Sequence, residues 1–326
     1  MSFASEVKKE LTALVVHKEH ARAELSALIR MNGSISLQEH QFILNVQTEN
    51  PSIARRIFSL LKETYDVHAE VLVCKKMNLK KNNVYIVRLK QDTSQVLADL
   101  AILDGVMFTT NVAGDIKGNA QKMKSYLRGA FLAGGSVNNP EISRYHLEIH
   151  STYEDHNQDI CKMMNYYRMN ASVLARKNGY ISYLKNSEKI TDFLTLIGAI
   201  NARFKFEDVL IMRDFRNCVN RLQNAELANL NKTVDAAARQ IENIKLIERV
   251  QGLKNLSAKL IELAQMRLKH PDISLKELGE ILPSGLISKS GINHRMRKLN
   301  ELAEKIRKDA KHESRLSNDK KENFIN

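Results

Sequence analysis

The sequence predicts an α+β protein: a duplicated domain of mixed helices and strands, followed by a C-terminal part that is entirely helical. Three observations carry this reading. Residues 127–136 (LRGAFLAGGS) have a weaker twin at residues 25–34 (LSALIRMNGS), each ending a helical run and each closing on Gly-Ser. The elements that follow the two copies come in the same order. From Asn201 onward the apolar periodicity is that of helices alone. A repeat of this length means two similar half-domains.

After Ser34 the pattern gives a strand over 42–46, a helix opened by Pro51, strands over 67–73 and 84–89, and a helix over 94–103. After Ser136 it gives a strand over 145–149, a helix over 154–167, strands over 172–176 and 180–184, and a helix over 187–200. Ahead of the first copy, residues 3–17 read as a helix with Val7, Leu11, Leu14 and Val15 on one face. The expected segments are therefore 1–110 and 111–205 for the two halves, 206–250 for a helical connector and 251–310 for a helical C-terminal domain. Residues 311–326 mix charges without an apolar period and are expected to be an unstructured tail.

The repeated helix is the natural centre of the duplicated part. Leu127, Ala130, Phe131 and Gly134 share one apolar face, while Gly129 and Ala133, one turn apart, leave a side almost without side chains. Two helices meeting on such sides can bring their backbones close together. In the first copy Ala27 keeps the small side and Met31 fills the next turn. Gly135 is expected to turn the chain out at the helix C-terminus.

Bulk properties narrow the function classes. A chain of 326 residues can bury two or three cores, and 43% hydrophobic content with mean hydropathy −0.35 suits a soluble globular protein. No apolar run is long enough to span a bilayer, and the first ten residues lack the apolar core of a signal peptide. Cys74, Cys161 and Cys218 are odd in number and widely spaced, which favours a reducing cytoplasm over a disulfide frame or a zinc module. The formal net charge of +13 favours a polyanionic partner. There is no P-loop, no nucleophile elbow and no Gly-rich dinucleotide turn, so no cofactor is expected.

Two clusters in the duplicated part invite a site. Lys117, Lys122, Lys124 and Arg128 follow one another with only Asp115 nearby, and read either as a phosphate-facing patch or as a solvated helix start. In the alternating segment 144–150, His146, Glu148 and His150 line up on one strand face at a spacing a metal could use. Arg144 beside them and the lack of a fourth ligand favour an ordinary polar sheet face. The Asn- and Arg-rich stretches 213–221 and 224–232 could contact nucleic acid or bond a linker to its neighbours.

The C-terminal unit is more specific. Leu256, Leu260, Leu263 and Arg267 to Leu268 mark a helix ending before Pro271. Ser274 and Glu277 have the spacing of a capping box, opening a short helix with Leu275, Leu278 and Ile281 that stops at the turn Pro283-Ser-Gly285. Ser288 or Ser290 then caps a third helix, in which Ile292, Met296 and Leu299 face the other two. A short middle helix, a Gly-containing turn and a basic third helix make the helix-turn-helix outline. Removing core positions leaves Ser288, Lys289, Ser290, Asn293, His294, Arg295, Arg297 and Lys298, with no acid until Glu301. Arg reads guanine bidentately, Asn reads adenine, and Ser and Lys suit phosphates. Ser290, Asn293, His294 and Arg297 are assigned to the groove of double-stranded DNA; Ser288, Lys289, Arg295 and Lys298 are assigned chiefly to its phosphates.

Both repeated decamers resemble degenerate LAGLIDADG motifs, and the chain resembles the WhiA family of bacterial regulators over nearly its whole length. Residues 287–299 (ISKSGINHRMRKL) carry the closest likeness. The resemblance implies two αββαββα halves of homing-endonuclease type joined to a helix-turn-helix domain. In nucleases of this fold the penultimate motif position is an acid that holds the catalytic divalent metal. Those positions are Asn32 and Gly134 here, and the motif's other acidic position reads Arg30 and Leu132. Hard cations need carboxylate oxygens, so the expectation is a nuclease scaffold without catalysis and without a bound metal. The resemblance further implies a cytoplasmic, nucleoid-associated transcriptional regulator tied to cell division, chromosome segregation and, in some relatives, sporulation. RNA polymerase or another regulator is a candidate protein partner; no membrane partner is expected. The competing readings are an active LAGLIDADG endonuclease, and a scaffold that docks a protein through its basic C-terminal helices. The sequence does not fix an oligomeric state.

Overall fold

The computed structural model describes residues 2–39, 41–75, 83–105, 107–142 and 144–322, with side chains through Ala310. The chain divides into two compact units, residues 1–214 and 215–326.

The first unit begins with helix α1 (Phe3–Thr12), capped by the Ser2 hydroxyl, which accepts from the Ser5 amide. It buries Phe3, Val7 and Leu11 and stops five residues short of the end the sequence predicts; Leu14 is half-buried and Val15 fully exposed. The first half then runs α2 (Lys18–Asn32), β1 (Gly33–Gln38), β2 (Gln41–Thr48), α3 (Pro51–Tyr65), β3 (Ala69–Lys75), β4 (Asn83–Leu89) and α4 (Thr93–Asp99). A small linking region follows, with β5 (Leu103–Asp104), β6 (Met107–Phe108) and α5 (Gly114–Lys117). The second half repeats the order: α6 (Ala120–Gly134), β7 (Gly135–Val137), β8 (Leu147–Ser151), α7 (Glu154–Tyr166), β9 (Ser172–Arg176), β10 (Gly179–Leu184) and α8 (Ser187–Ile197). Both sheets are antiparallel with matching orders, β1-β2-β4-β3 and β7-β8-β10-β9. This is the duplicated αββαββα architecture.

Strands β1 and β7 are absent from the periodicity reading. β1 (GSISLQ) is largely exposed and β7 spans three residues, so neither shows a clear apolar alternation. The other elements follow local chemistry. Helix α3 opens with Pro51 in its first turn and Asn50 as N-cap, and buries Ile53, Ile57, Leu60 and Leu61 along one face. Strand β8 alternates buried Leu147, Ile149 and Ser151 with half-buried His146, Glu148 and His150 on the sequence positions between and beside them.

Helices α2 and α6 pair at the centre. A Cβ on Gly129 would lie 2.3 Å from the Glu24 carbonyl oxygen and 3.0 Å from the Ala27 Cβ, so the backbones approach as closely as the small side allows. Leu25, Leu28, Tyr126, Leu127, Ala130 and Phe131 are buried around this contact. Each large apolar side chain removed from water in this way stabilises the fold by roughly 1.5–3 kcal/mol. Both helices end in the same manner. Gly33 and Gly135 leave in an extended conformation, φ −82° and −80°, with their amides bonded to the Ile29 and Phe131 carbonyls. Gly135 thus turns the chain out of the helix in an extended rather than a left-handed conformation. Glycine is required instead because a Cβ would meet the Ile29 oxygen at 2.3 Å in the first copy and the Phe131 oxygen at 2.5 Å in the second.

A single helix, α9 (Ile200–Gln251), follows. Its beginning belongs to the first unit: the Glu10 carboxylate accepts from the amides of Asn201 and Ala202, and Phe206 packs against Phe3 and Tyr145. Its end belongs to the second unit, where Ile244 and Ile247 are fully buried. The remaining helices there are α10 (Ala258–Lys269), α11 (Leu275–Glu280) and α12 (Lys289–Glu322). The backbone of α12 thus stays helical through Glu322, where the charge pattern predicts an unstructured tail from residue 311. Among the described residues no helix is long and apolar enough to cross a membrane.

Candidate nucleic-acid interface

The second unit builds its core from Leu263, Ala264, Leu278, Leu282, Ile292, Met296, Leu299 and Ala303, joined by Ile244 and Ile247 of α9. Ala237, Gln240 and Asn243 are buried on the same helix. Asn243 ties α9 to α12: its amide donates to Asn300 Oδ1 at 2.9 Å, and its oxygen accepts from Arg307 Nη2 at 2.6 Å.

The capping box forms as its spacing predicts. Ser274 Oγ accepts from the Glu277 amide and Glu277 Oε2 accepts from the Ser274 amide at 2.7 Å. These bonds hold the Glu277 carboxyl below its usual range. In α11 Leu278 is buried and Leu275 half-buried, while Ile281 is exposed and Leu282 takes the core position. The helix ends at Glu280, so the helical period does not reach Ile281.

The turn into α12 is tightly held. Gly285 has φ +104°, a conformation that favours glycine, and the Ser284 amide donates to Glu262 Oε1 at 2.6 Å. The Ile287 amide donates to the Gly279 carbonyl at 3.0 Å, and a Cβ on Gly279 would meet the Ile287 oxygen at 2.3 Å. Arg267, fully buried, donates to the Ile273 carbonyl at 2.7 Å and fastens the α10–α11 loop. Between the two serines offered by the sequence, Ser288 is the cap: its Oγ accepts from the Gly291 amide at 3.2 Å and its carbonyl from Ile292. Ser290 lies inside the first turn.

With Ile292, Met296 and Leu299 turned inward, the opposite side of α12 shows Lys289, Ser290, Asn293, His294, Arg297 and Lys298 to solvent, with Ser288 exposed at the cap. Arg295 differs. It is half-buried, and its Nη1 is buried without a hydrogen-bond partner among the described residues. The exposed side chains form one cationic face that begins at a helix N-terminus, where free backbone amides add positive potential.

The first unit treats its sequence-flagged clusters differently. Lys117 pairs with Asp159 at 3.0 Å, Lys122 with Asp115 at 3.2 Å, and Arg128 is buried against Glu24 at 2.7 Å. Three of the four basic residues at 117–128 are therefore paired with carboxylates, two of which, Asp159 and Glu24, lie far away in sequence. On β8, His146 bonds to Glu148 at 2.9 Å and His150 to the Asn178 carbonyl at 3.1 Å. Among the described residues no three metal-ligating side chains converge.

The two former metal positions are equally informative. Gly134 packs against β8, where a Cβ would lie 2.4 Å from the His150 carbonyl oxygen and 2.7 Å from Met31 Cε. A carboxylate could not occupy that position without displacing backbone. Asn32, neutral, lines a surface cavity. Of the other motif positions, Leu132 is buried, and Arg30 donates to the carbonyls of Ala101 and Thr109 in the linking region.

Comparison with known proteins agrees with this anatomy. The WhiA N-terminal LAGLIDADG-like domain matches residues 18–103, the WhiA LAGLIDADG-like domain residues 123–216, and the WhiA C-terminal HTH domain residues 219–303. Fold and matched domains together define a DNA-binding regulator of helix-turn-helix type built on a LAGLIDADG-like domain. A probable cell division protein WhiA from Enterococcus faecalis is 70% identical over 94% of this chain and 99% of its own length. One from Latilactobacillus sakei subsp. sakei is 68% identical over 93% and 97%. The crystal structure of full-length WhiA from Thermatoga maritima superposes with a TM-score of 0.58 at 26% identity, covering 94% of this chain and 99% of that one. The chain belongs to the WhiA family.

Proposed function

We propose that this protein binds duplex DNA sequence-specifically through the start of α12 and does not cleave it. The observation that carries the reading is the acid-free face of Lys289, Ser290, Asn293, His294, Arg297 and Lys298, exposed on a helix whose other side is locked into a helix-turn-helix core. Ser290, Asn293, His294 and Arg297, in the first turns, supply base-edge contacts; Ser288, Lys289 and Lys298 supply phosphate contacts. Arg295 acts from a half-buried position, and its role is chiefly to hold the helix against the backbone of the DNA.

Metal-assisted phosphodiester hydrolysis needs carboxylates to hold the cation, and the two motif positions offer an amide and a glycine packed on backbone. The relatives are named for cell division. We extend that role to this chain as a transcriptional regulator of division and chromosome-segregation genes, acting at the nucleoid in concert with RNA polymerase or another regulator. The test is crosslinking of the protein to its genome with site mapping, followed by incubation of the mapped duplexes with protein and Mg²⁺. Intact DNA bound with an affinity that falls steeply with salt supports the reading. Nicked or linearised DNA overturns its non-catalytic half, and absence of enriched sites overturns its DNA-binding half.

A further inference from the structure

The first unit contains a cavity of about 940 Å³ that the DNA-binding reading does not use. It lies where three features meet: the N-terminal end of α1, the N-terminal end of α3, and the passage from α6 into β7. Its volume falls in the range of small-molecule sites, roughly 300–1,000 Å³.

Two lysines and one carboxylate set the electrostatics of the cavity. Lys8 and Lys9 both line it, and among the described residues neither forms an ion pair. The Lys8 ammonium is 5.9 Å from the centre of the Phe131 ring, and burial lowers its pKa to about 8. Helix α1 lines the cavity from its Ser2 cap to Lys9 and α3 lines it with its first turn, bringing the Ser5 and Ser52 hydroxyls there, while the amides of these two serines already donate to the Ser2 and Asn50 side chains. Asn32, Thr48 and Ser136 add neutral donors. Glu49 is the one carboxylate among the lining residues, and it already has an interaction partner. Lys8 is half-buried and Lys9 exposed, and a bound anion would supply the counter-charge that both lack among the described residues.

We propose that this cavity is a binding site for a small phosphorylated molecule, whose phosphoryl oxygens are held by Lys8, Lys9 and the hydroxyls of Ser5, Ser52 and Ser136. A tetrahedral oxyanion matches this donor set, since the hydroxyls offer it O–H groups while lysine supplies point charge. The site lies beside Asn32, so the region where nucleases of this fold would hold a metal is here lined by cationic side chains. The inference is independent of the role of α12.

The test uses the full chain, with pyrophosphate as probe and sodium chloride of equal ionic strength as control, read by titration calorimetry and thermal shift. Saturable one-site binding and a raised Tm are expected. Lys8→Met should weaken the binding at least tenfold, and Ser136→Asp, at an exposed rim position, should do the same by repulsion with the fold intact. Arg297→Ala should leave it unchanged. No saturable binding, equal binding in Lys8→Met and Ser136→Asp, or loss of binding in Arg297→Ala would overturn the proposal. Displacement of pyrophosphate by a short duplex in the Arg297→Ala background would overturn the small-molecule assignment, because a backbone phosphate of DNA would then be the occupant.

Discussion

Gly129 sits directly over the carbonyl oxygen of Glu24, at a distance that leaves no room for a methyl group. On helix propensity alone, Gly129→Ala would stabilise α6 by roughly 1 kcal/mol. The close approach of α2 reverses the sign: a Cβ 2.3 Å from backbone oxygen forces the paired helices apart, and we expect a net loss of about 2 kcal/mol. Urea denaturation measures it. A variant more stable than wild type would show that the two helices do not meet on their small sides.

Glu24 itself is the second test. Its fully buried carboxylate accepts from Arg56 Nε at 2.8 Å and from Arg128 Nε at 2.7 Å, joining α3 and α6 to α2. Glu24→Gln keeps the shape and removes the charge, leaving two largely buried guanidiniums uncompensated. Removing one partner from a buried charge network costs about 3–5 kcal/mol. A loss under about 1 kcal/mol in a denaturant titration would mean that water reaches the arginines.

The pH dependence of stability has a specific source in His156. Its ring is buried between Tyr126 Oη at 2.6 Å and Ser151 Oγ at 2.7 Å. Burial, aided by the positive charge of Arg30, lowers its pKa from 6.5 to about 4. The unfolded chain therefore takes up a proton below pH 6.5 that the folded chain refuses until about pH 4, so stability is lost as pH falls through that window. Between pH 7 and pH 5 the loss from this one group is on the order of 2 kcal/mol. His156→Gln should be less stable at pH 7 and lose less on acidification. An equal loss in both proteins would assign the effect to other groups.

Much of this was legible in the sequence because its causes are local or periodic. The repeated decamer exposed the helix pair, and the Ser274–Glu277 spacing exposed the start of α11. The alternation around Ile292, Met296 and Leu299 fixed which side of α12 stays outside. What escaped has non-local causes. Lys117 and Arg128 looked free because their partners, Asp159 and Glu24, lie far along the chain. Strand β1 exists through pairing with β2 rather than through a buried face of its own. Ile281 lost its core place to Leu282 because α11 ends one residue too soon for the helical period to continue. The buried Arg267 has no apolar signature, and the cavity around Lys8 is assembled from segments up to more than a hundred residues apart.

Restoring the acid at the second motif position should not restore a metal site. In Gly134→Asp the new side chain meets the His150 carbonyl before it reaches solvent, so destabilisation of at least about 2 kcal/mol is expected, without Mg²⁺-dependent protection. Thermal shift with and without Mg²⁺ reads both effects. A variant of wild-type stability whose Tm rises with Mg²⁺ would show that the position still admits a ligand.

The most direct test of the account is the affinity of the full chain for a duplex selected from a random pool, measured by fluorescence anisotropy for Asn293→Ala, Arg297→Ala and the exposed control Lys62→Ala in α3. Each of the first two should weaken binding by about 1–3 kcal/mol, with the Asn293 change confined to the selected sequence, while the control should not differ from wild type. Undiminished affinity in the Asn293→Ala, Arg297→Ala double variant would contradict the assignment of DNA recognition to α12.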